Sequence, residues 1–132
     1  MALPGGRREP GDDDLLATAL REVGEEVGVT LAPESFAGTL EDVVPRSPVL
    51  PPVAVRPFVF LSPSRPPLLP NVEVAGTHWA LLDDLVRSGA HHPVLVDIAG
   101  EPREVMAYQL EEAIVWGMTE RILSSLLRRI SD

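Results

Sequence analysis

The sequence predicts an α+β domain, because two amphipathic helical patterns bracket a central stretch of short strand-like segments. The first helical pattern lies near the N-terminus and the second closes the chain. The segments between them contain β-branched and aromatic residues and are separated by proline-rich loops. A chain of 132 residues is large enough to bury one core, so we expect a single domain over residues 1–132.

The first helix is predicted between the aspartates at 12–14 and Gly28. An apolar stripe runs along it at spacings of four, three and four residues, formed by Leu16, Leu20, Val23 and Val27. Any of the three aspartates can cap the N-terminus, and a glycine at position 28 suits a left-handed C-cap. The helix is therefore short and bounded by turns.

Three carboxylates occupy the face of this helix opposite the apolar stripe. Glu22, Glu25 and Glu26 fall within roughly one quadrant of each other at about 100° per residue. Like charges at these spacings destabilise a helix by about 0.2–0.5 kcal/mol per pair, so folding alone gives no reason to cluster them. A divalent cation relieves the repulsion, and oxygen ligands suit Mg²⁺ or Mn²⁺, which also bridge to substrate phosphates. A solvated acidic face is the competing interpretation.

The middle of the chain is predicted to alternate between strands and stiff loops. A strand covers residues 36–44, and a proline-rich loop follows at 45–53. Residues 53–61 form a buried strand that Pro57 interrupts, and residues 62–70 form a second proline-rich loop. A further strand at 72–79 leads into a helical turn at 80–85.

The C-terminal part is predicted to contain a loop, a hairpin and a helix. The loop is His91-His92-Pro93, whose histidines have no companion at metal-ligand spacing. Strands at 94–98 and 103–110 pair around a turn at 99–102. The last helix covers residues 115–130, with an apolar stripe formed by Leu123, Leu126, Leu127 and Ile130. Arg128 and Arg129 favour the C-terminal end of its dipole.

Composition and charge exclude several classes of function. Because the chain contains no cysteine, it has neither disulfides nor a thiolate site. A net charge of −9 argues against a nucleic-acid partner, since phosphate backbones require a basic face. A bound metal ion still lets an acidic site accept a small phosphate-containing substrate. Without a signal peptide or an apolar run of about 18 residues, we expect a cytoplasmic protein without membrane contact.

Residues 21–29 read Arg-Glu-Val-Gly-Glu-Glu-Val-Gly-Val and resemble the signature of Nudix hydrolases. That signature is Gly, five residues, Glu, seven residues and then Arg-Glu-U-x-Glu-Glu-x-Gly-U, where U is aliphatic. Its second half matches at every position. The resemblance implies a Nudix-like α/β/α sandwich with a mixed central sheet, a loop-helix-loop at the signature and a C-terminal helix.

The first half of the signature departs from the pattern and allows two alignments. If Gly6 is the signature glycine, Asp12 replaces the glutamate and eight residues separate it from Arg21. If the spacing is kept, Asp13 takes that position and Arg7 replaces the glycine. We prefer the first alignment, because the Pro-Gly-Gly turn ends at Gly6 and the following loop can hold one extra residue.

The resemblance also implies the roles of individual residues. The metal ligands for Mg²⁺ or Mn²⁺ would be Glu22, Glu25 and Glu26. The attacking water would lose its proton to Glu22 or Glu73, with a weaker claim for Glu41. Arg21 and Glu25 would also be catalytic residues. Arg21 would hold a carboxylate of the loop in place through an ion pair. The candidates for substrate binding are Gly6, Arg7, Arg8 and Arg56, although ordinary solvent exposure is an equal alternative for the two loop arginines.

The C-terminal sequence resembles the coenzyme A pyrophosphatase branch of Nudix hydrolases. The shared parts are Pro93-Val94-Leu95-Val96-Asp97, Ala107-Tyr108 and the run Val115-Trp116-Gly117-Met118-Thr119-Glu120-Arg121-Ile122-Leu123. The resemblance implies hydrolysis of a diphosphate bond in a nucleoside-diphosphate-linked substrate, with coenzyme A or a derivative as the first choice. The alternatives are ADP-ribose, a nucleotide sugar, or a catalytically inactive Nudix-like binding module.

Strands precede the signature in this family, whereas here the signature begins almost at Met1. We therefore expect an N-terminally truncated Nudix domain. A sheet deprived of those strands exposes edges and apolar faces, which a homodimer can cover.

Overall fold

A computed structural model describes residues 2–46, 53–72, 76–77, 79–111 and 113–131. The chain divides into two compact units. The N-terminal unit consists of Leu3–Glu41 and Arg56–Trp79, and the C-terminal unit consists of Met1–Ala2, Asp42–Val55 and Ala80–Asp132. Both units combine helices or turns with antiparallel strands, so the predicted α+β class is confirmed.

Helix α1, Leu15–Val27, begins and ends where the sequence predicts. The Asp14 side chain accepts a hydrogen bond of 2.8 Å from the Ala17 backbone N–H and caps the N-terminus. Gly28 ends the helix at φ 70°, and its N–H donates to the Gly24 carbonyl. A side chain at Gly28 would also place its Cβ 2.7 Å from the Leu69 Cβ, so the position needs glycine for two reasons.

The N-terminal unit also contains a two-stranded antiparallel sheet. Strand β1, Phe36–Thr39, pairs with strand β2, Phe58–Phe60, and the register shifts between Phe36 and Gly38. The Phe36 ring lies 5.9 Å from the Phe58 ring and 5.7 Å from the Phe60 ring, measured between centroids. Both strands are shorter than the predicted segments at 36–44 and 53–61. β2 is half-buried and Leu61 is 71% exposed, so the prediction of a buried strand was wrong here.

The C-terminal unit is built on a three-stranded antiparallel sheet with the order β3-β4-β5. Its strands are β3, His91–Ile98, β4, Glu101–Gln109, and β5, Ile114–Val115. The hairpin between β3 and β4 turns at Ala99 and Gly100, which have φ values of 53° and 84°. Two consecutive positive φ values are typical of the tight hairpin turn that matches the twist of its strands.

The prediction that residues 91–93 form a loop was wrong. His91 opens β3 opposite Tyr108, and Pro93 lies within the strand opposite Met106. Proline is tolerated there because β3 pairs with β4 on only one side in the described residues, so the missing N–H does not break a central ladder.

Two helices complete the C-terminal unit. Helix α2, Leu82–Val86, matches the predicted helical turn, and helix α3, Met118–Ile130, begins three residues later than predicted. The delay arises because Val115 pairs with Tyr108 in the sheet and Gly117 adopts φ 73° before the helix starts. The unit's core consists of Leu85, Tyr108 and Val115, against which Leu110, Leu123 and Leu127 pack.

Half of the strand predicted at 72–79, residues 73–75 and 78, lies outside the described residues. Residues 72, 76, 77 and 79 belong to no strand. All strand pairs in the described part of the chain are antiparallel and form two sheets, where the sequence predicted one mixed sheet. Among the described residues, no helix is long and apolar enough to cross a membrane.

Candidate active site

The loop before α1 folds against the acidic face of that helix. The Gly5 backbone N–H donates a hydrogen bond of 2.9 Å to Glu26 Oε1. Gly6 lies so close to Glu22 that an added Cβ would overlap its Oε1 and approach its Cδ to 2.6 Å. The Gly-Gly turn thus contacts two carboxylates one helical turn apart, and the absence of a side chain at Gly6 makes this approach possible.

Arg21 connects the acidic face to the loop. Its Nε lies 3.0 Å from Asp12 Oδ1 and its Nη2 lies 3.1 Å from Asp12 Oδ2, which is a bidentate ion pair. Its Nη1 lies 3.1 Å from both Glu22 Oε1 and Glu25 Oε2. Nη2 also donates to the Arg7 carbonyl. The predicted pairing of Arg21 with a loop carboxylate is therefore confirmed, and that carboxylate is Asp12.

Asp12 is only 6% exposed, and its hydrogen bonds explain how a charge is tolerated there. Besides Arg21, its Oδ2 accepts from the Glu9 backbone N–H and from the Thr18 hydroxyl, each at 2.9 Å. The Arg21 guanidinium holds the pKa of Asp12 well below its usual range, and the other two donors act in the same direction. Because Asp13 is exposed while Asp12 is enclosed, the structure supports the alignment in which Gly6 is the signature glycine.

Glu22 and Glu26 form a pair of carboxyl groups beside this ion pair. Burial raises the pKa of Glu22 above its ordinary value, and the hydrogen-bonded Glu26 carboxyl raises it further, while Arg21 opposes both. The two groups offer hard oxygen donors at one place, and a cation there would stabilise both charges. This donor set suits Mg²⁺, which keeps several waters and takes one or two carboxylates from the protein.

Glu25 is placed differently from the other two glutamates. Its side chain is 56% exposed and is paired with Arg21. Within the described residues, no group of three or more His, Cys, Asp or Glu side chains has the arrangement of a metal site. The role of Glu25 as a third ligand stays a prediction, and the geometry brings Glu22 and Glu26 together without it.

The predicted substrate-binding arginines occupy different places. Arg8 and Arg56 line a cavity of about 500 Å³, whose other lining residues are Asp13, Asp14, Leu15, Leu16 and Phe58. Arg8 is held in place because its guanidinium donates to the Asp12 and Asp13 carbonyls, each at 3.1 Å. Arg7 is exposed and contributes its carbonyl oxygen to Arg21. Of the two further candidate bases, Glu73 lies outside the described residues and Glu41 is exposed.

Sequence reasoning missed two features that position the site. Thr18 is 4% exposed although it lies on the acidic side of α1, because the loop covers it and Asp12 accepts its hydroxyl. The end of α1 is closed by the segment after β2, where the Leu69 and Asn71 N–H groups donate to the Val27 and Glu26 carbonyls. The burial of Thr18 could have been predicted, because a threonine stands out on an otherwise charged helix face. The closure of the end of α1 has no recognisable pattern in the sequence.

The sequence is similar to known proteins. Residues 1–98 match the model of the NUDIX domain family. The chain is 31% identical over 132 residues to proteins named "Uncharacterized Nudix hydrolase NudL" from Yersinia pestis (strain Pestoides F) and Yersinia pseudotuberculosis serotype O:1b (strain IP 31758). Each match covers 99% of this chain and 64% of the relative, so the chain spans about two thirds of their length. The chain belongs to the Nudix family.

Proposed function

We propose that the protein hydrolyses a diphosphate bond in a nucleoside-diphosphate-linked small molecule and that it requires Mg²⁺ or Mn²⁺. The observation that carries this proposal is the pairing of the Glu22 and Glu26 carboxyl groups against the Gly5-Gly6 turn. Two adjacent carboxyl groups gain from a shared cation, and folding alone does not explain their placement. The Yersinia relatives are named as Nudix hydrolases, which supports a hydrolytic activity for this chain.

In this proposal Glu22 and Glu26 hold the metal ion and Arg21 fixes the acidic face. When bound, the ion neutralises charge on the bridging and leaving oxygens of the diphosphate. Arg21 contacts Glu22, Glu25 and Asp12 at once, so it sets the orientation of the helix carboxylates relative to the loop. Glu25 is the third ligand predicted by the family resemblance.

Hydrolysis also needs a group that takes a proton from water. Glu22 is our first candidate, as an alternative to its role as a metal ligand, because burial raises its pKa and a carboxylate with a raised pKa is the better proton acceptor. The water oxygen forms a bond to one phosphorus, the bridging P–O bond breaks, and the water proton moves to the carboxylate. Glu73 is the alternative proton acceptor that the family resemblance suggests.

We propose coenzyme A or a derivative as the substrate, on the resemblance of the C-terminal sequence to that branch of the family. ADP-ribose and nucleotide sugars are the alternatives. The cavity lined by Arg8 and Arg56 is a candidate for binding the substrate, because guanidinium groups pair with phosphate oxygens and Phe58 offers an apolar surface beside them. Homodimerisation and a cytoplasmic location stay predictions.

The test is product analysis with purified protein, Mg²⁺ or Mn²⁺, and separate incubations with coenzyme A, ADP-ribose and a nucleotide sugar. We expect coenzyme A to be cleaved to a phosphopantetheine product. Glu26→Gln should abolish this cleavage, while Glu34→Gln, which changes an exposed glutamate after α1, should retain it. A folded wild-type protein that cleaves none of these substrates with either metal would favour the non-catalytic binding module instead.

A further inference from the structure

The C-terminal unit contains a second cavity, of about 540 Å³, which the proposed hydrolytic function does not use. One wall is a single face of α3 and its C-cap, where residues at 120, 121, 124, 127, 128 and 131 recur at helical spacing. Arg46 and His91 also line the cavity. The volume lies in the range of small-molecule sites, about 300–1,000 Å³.

Positive charge dominates the lining of this cavity. Arg46, Arg121 and Arg128 contribute three guanidinium groups, and Glu120 is the one acidic residue among the described lining residues. The Glu120 Oε2 atom already accepts from the Ser124 hydroxyl at 2.9 Å and lies 2.8 Å from His91 Nε2. Such a concentration of cations is unexpected in a chain with a net charge of −9.

The arginine donors are largely available. Arg121 uses one of its five N–H groups in a 2.6 Å bond to the Val44 carbonyl. In the described part of the chain, the guanidinium groups of Arg46 and Arg128 form no hydrogen bond or ion pair, and both residues are exposed. Three like charges around one cavity repel each other. An oxyanion bound between them would attract each guanidinium group and offset that repulsion.

The rest of the cavity suits an organic group. The His91 ring stacks on the Tyr108 ring with centroids 4.3 Å apart and planes 15° apart, and the Tyr108 hydroxyl lies 2.6 Å from Ser124 Oγ. These contacts fix the orientation of the polar side chains. Val86 and Leu127 add apolar surface next to them.

We propose that this cavity binds a small phosphomonoester, with the phosphate held by Arg46, Arg121 and Arg128 and the organic group against Val86 and Leu127. Guanidinium groups recognise phosphate oxygens through paired, charge-assisted hydrogen bonds. This site shares no residue with the Nudix signature, since all of its described lining residues belong to the C-terminal unit. A failure of this proposal therefore leaves the proposed hydrolytic function untouched.

The experiment titrates the full chain with phenyl phosphate in EDTA-containing buffer and follows the arginine side-chain Nε–H signals by NMR. We expect the signals of Arg46, Arg121 and Arg128 to shift with one common dissociation constant. The combined Arg46→Gln and Arg128→Gln substitutions should weaken binding about tenfold or more, since each removes a charge-assisted donor. Arg129→Gln is the matched control, because Arg129 is exposed in the same last turn and does not line the cavity.

Three results would overturn the proposal. The first is no saturable shift with phenyl phosphate in the wild-type protein. The second is an equal loss of affinity in Arg129→Gln and in the double variant, which would indicate nonspecific attraction to the helix end. The third is inorganic phosphate binding as tightly as phenyl phosphate, which would make the ligand a free anion. Circular dichroism of each variant verifies that it is folded.

Discussion

The substitution Gly6→Ala tests how the Gly-Gly turn controls the position of Glu22. A Cβ at this position would lie 2.6 Å from Glu22 Cδ and 3.0 Å from Glu22 Oε2. Restoring a carbon–carbon separation of about 3.5 Å requires the carboxyl group to move by about 1 Å. Such a displacement in an active site can lower the rate by about 100-fold.

The effect on folding should be small, because only the end of a flexible side chain has to move. Gly6 is absent from the glycines with positive φ, so alanine meets no backbone strain there. Reduced freedom of the unfolded chain stabilises a compatible Gly→Ala change by about 0.4–1 kcal/mol, which offsets part of the cost of rotating Glu22. We therefore expect nearly unchanged urea denaturation together with a large loss of activity and of Mn²⁺ affinity.

The assay measures kcat/KM for diphosphate hydrolysis and Mn²⁺ affinity by calorimetry, with Gly5→Ala as the matched control. A Cβ at Gly5 would meet no atom within 4 Å, and the backbone N–H that binds Glu26 remains. The control should therefore retain activity. Unchanged kcat/KM and Mn²⁺ affinity in Gly6→Ala, or an equal loss in Gly5→Ala, would show that the contact between Gly6 and Glu22 does not control the site.

Three further predictions concern the stability of the same unit. Thr18→Val keeps the side-chain volume but removes the hydroxyl that donates to Asp12, so urea denaturation should show a loss of about 1–3 kcal/mol, whereas Thr18→Ser should be close to wild type. Gly28→Ala should lower the free energy of unfolding by more than about 1 kcal/mol, because φ is 70° and Leu69 blocks the new Cβ. Gly24 lies inside α1, and an added Cβ would stay 3.9 Å from the nearest atom, so Gly24→Ala should instead raise the free energy of unfolding by about 0.5–1 kcal/mol. A change of the free energy of unfolding in the same direction for both glycine variants would contradict this. Since Arg21 lowers the pKa of Asp12, the stability that this carboxylate contributes is complete above its unfolded pKa of about 3.9 and is lost as the pH falls further. The difference in urea midpoint between wild type and Asp12→Asn should therefore shrink between pH 7 and pH 3, and a constant difference would argue against the assignment.

Local rules account for what the sequence predicted correctly. Both ends of helix α1 could be predicted because each cap depends only on residues next to it in the sequence. Asp14 caps the N-terminus and Gly28 caps the C-terminus. The pairing of Arg21 with a loop carboxylate followed from the family signature. The choice between Asp12 and Asp13 needed the structure, since only the packing of the loop over Thr18 decides which aspartate is enclosed.

The remaining differences depend on contacts between distant parts of the chain. Residues 91–93 contain a proline and two histidines and look like a loop, yet they pair with β4. Proline is tolerated there because β3 has β4 as its one neighbour among the described strands. Val115 fits a helical pattern as well as a strand, and its pairing with Tyr108 decides for the strand. The predicted burial of residues 53–61 was wrong because the short pairing of β2 with β1 leaves Leu61 in solvent.

Mn²⁺ binding measured by electron paramagnetic resonance shows whether Glu22 and Glu26 share a cation. The wild-type protein and Glu34→Gln should both bind Mn²⁺ saturably, and Glu26→Gln should lose that binding while its circular dichroism stays unchanged. Mn²⁺ affinity in Glu26→Gln equal to that of the wild-type protein would contradict a cation shared by Glu22 and Glu26, because it would place the metal away from the paired carboxyl groups.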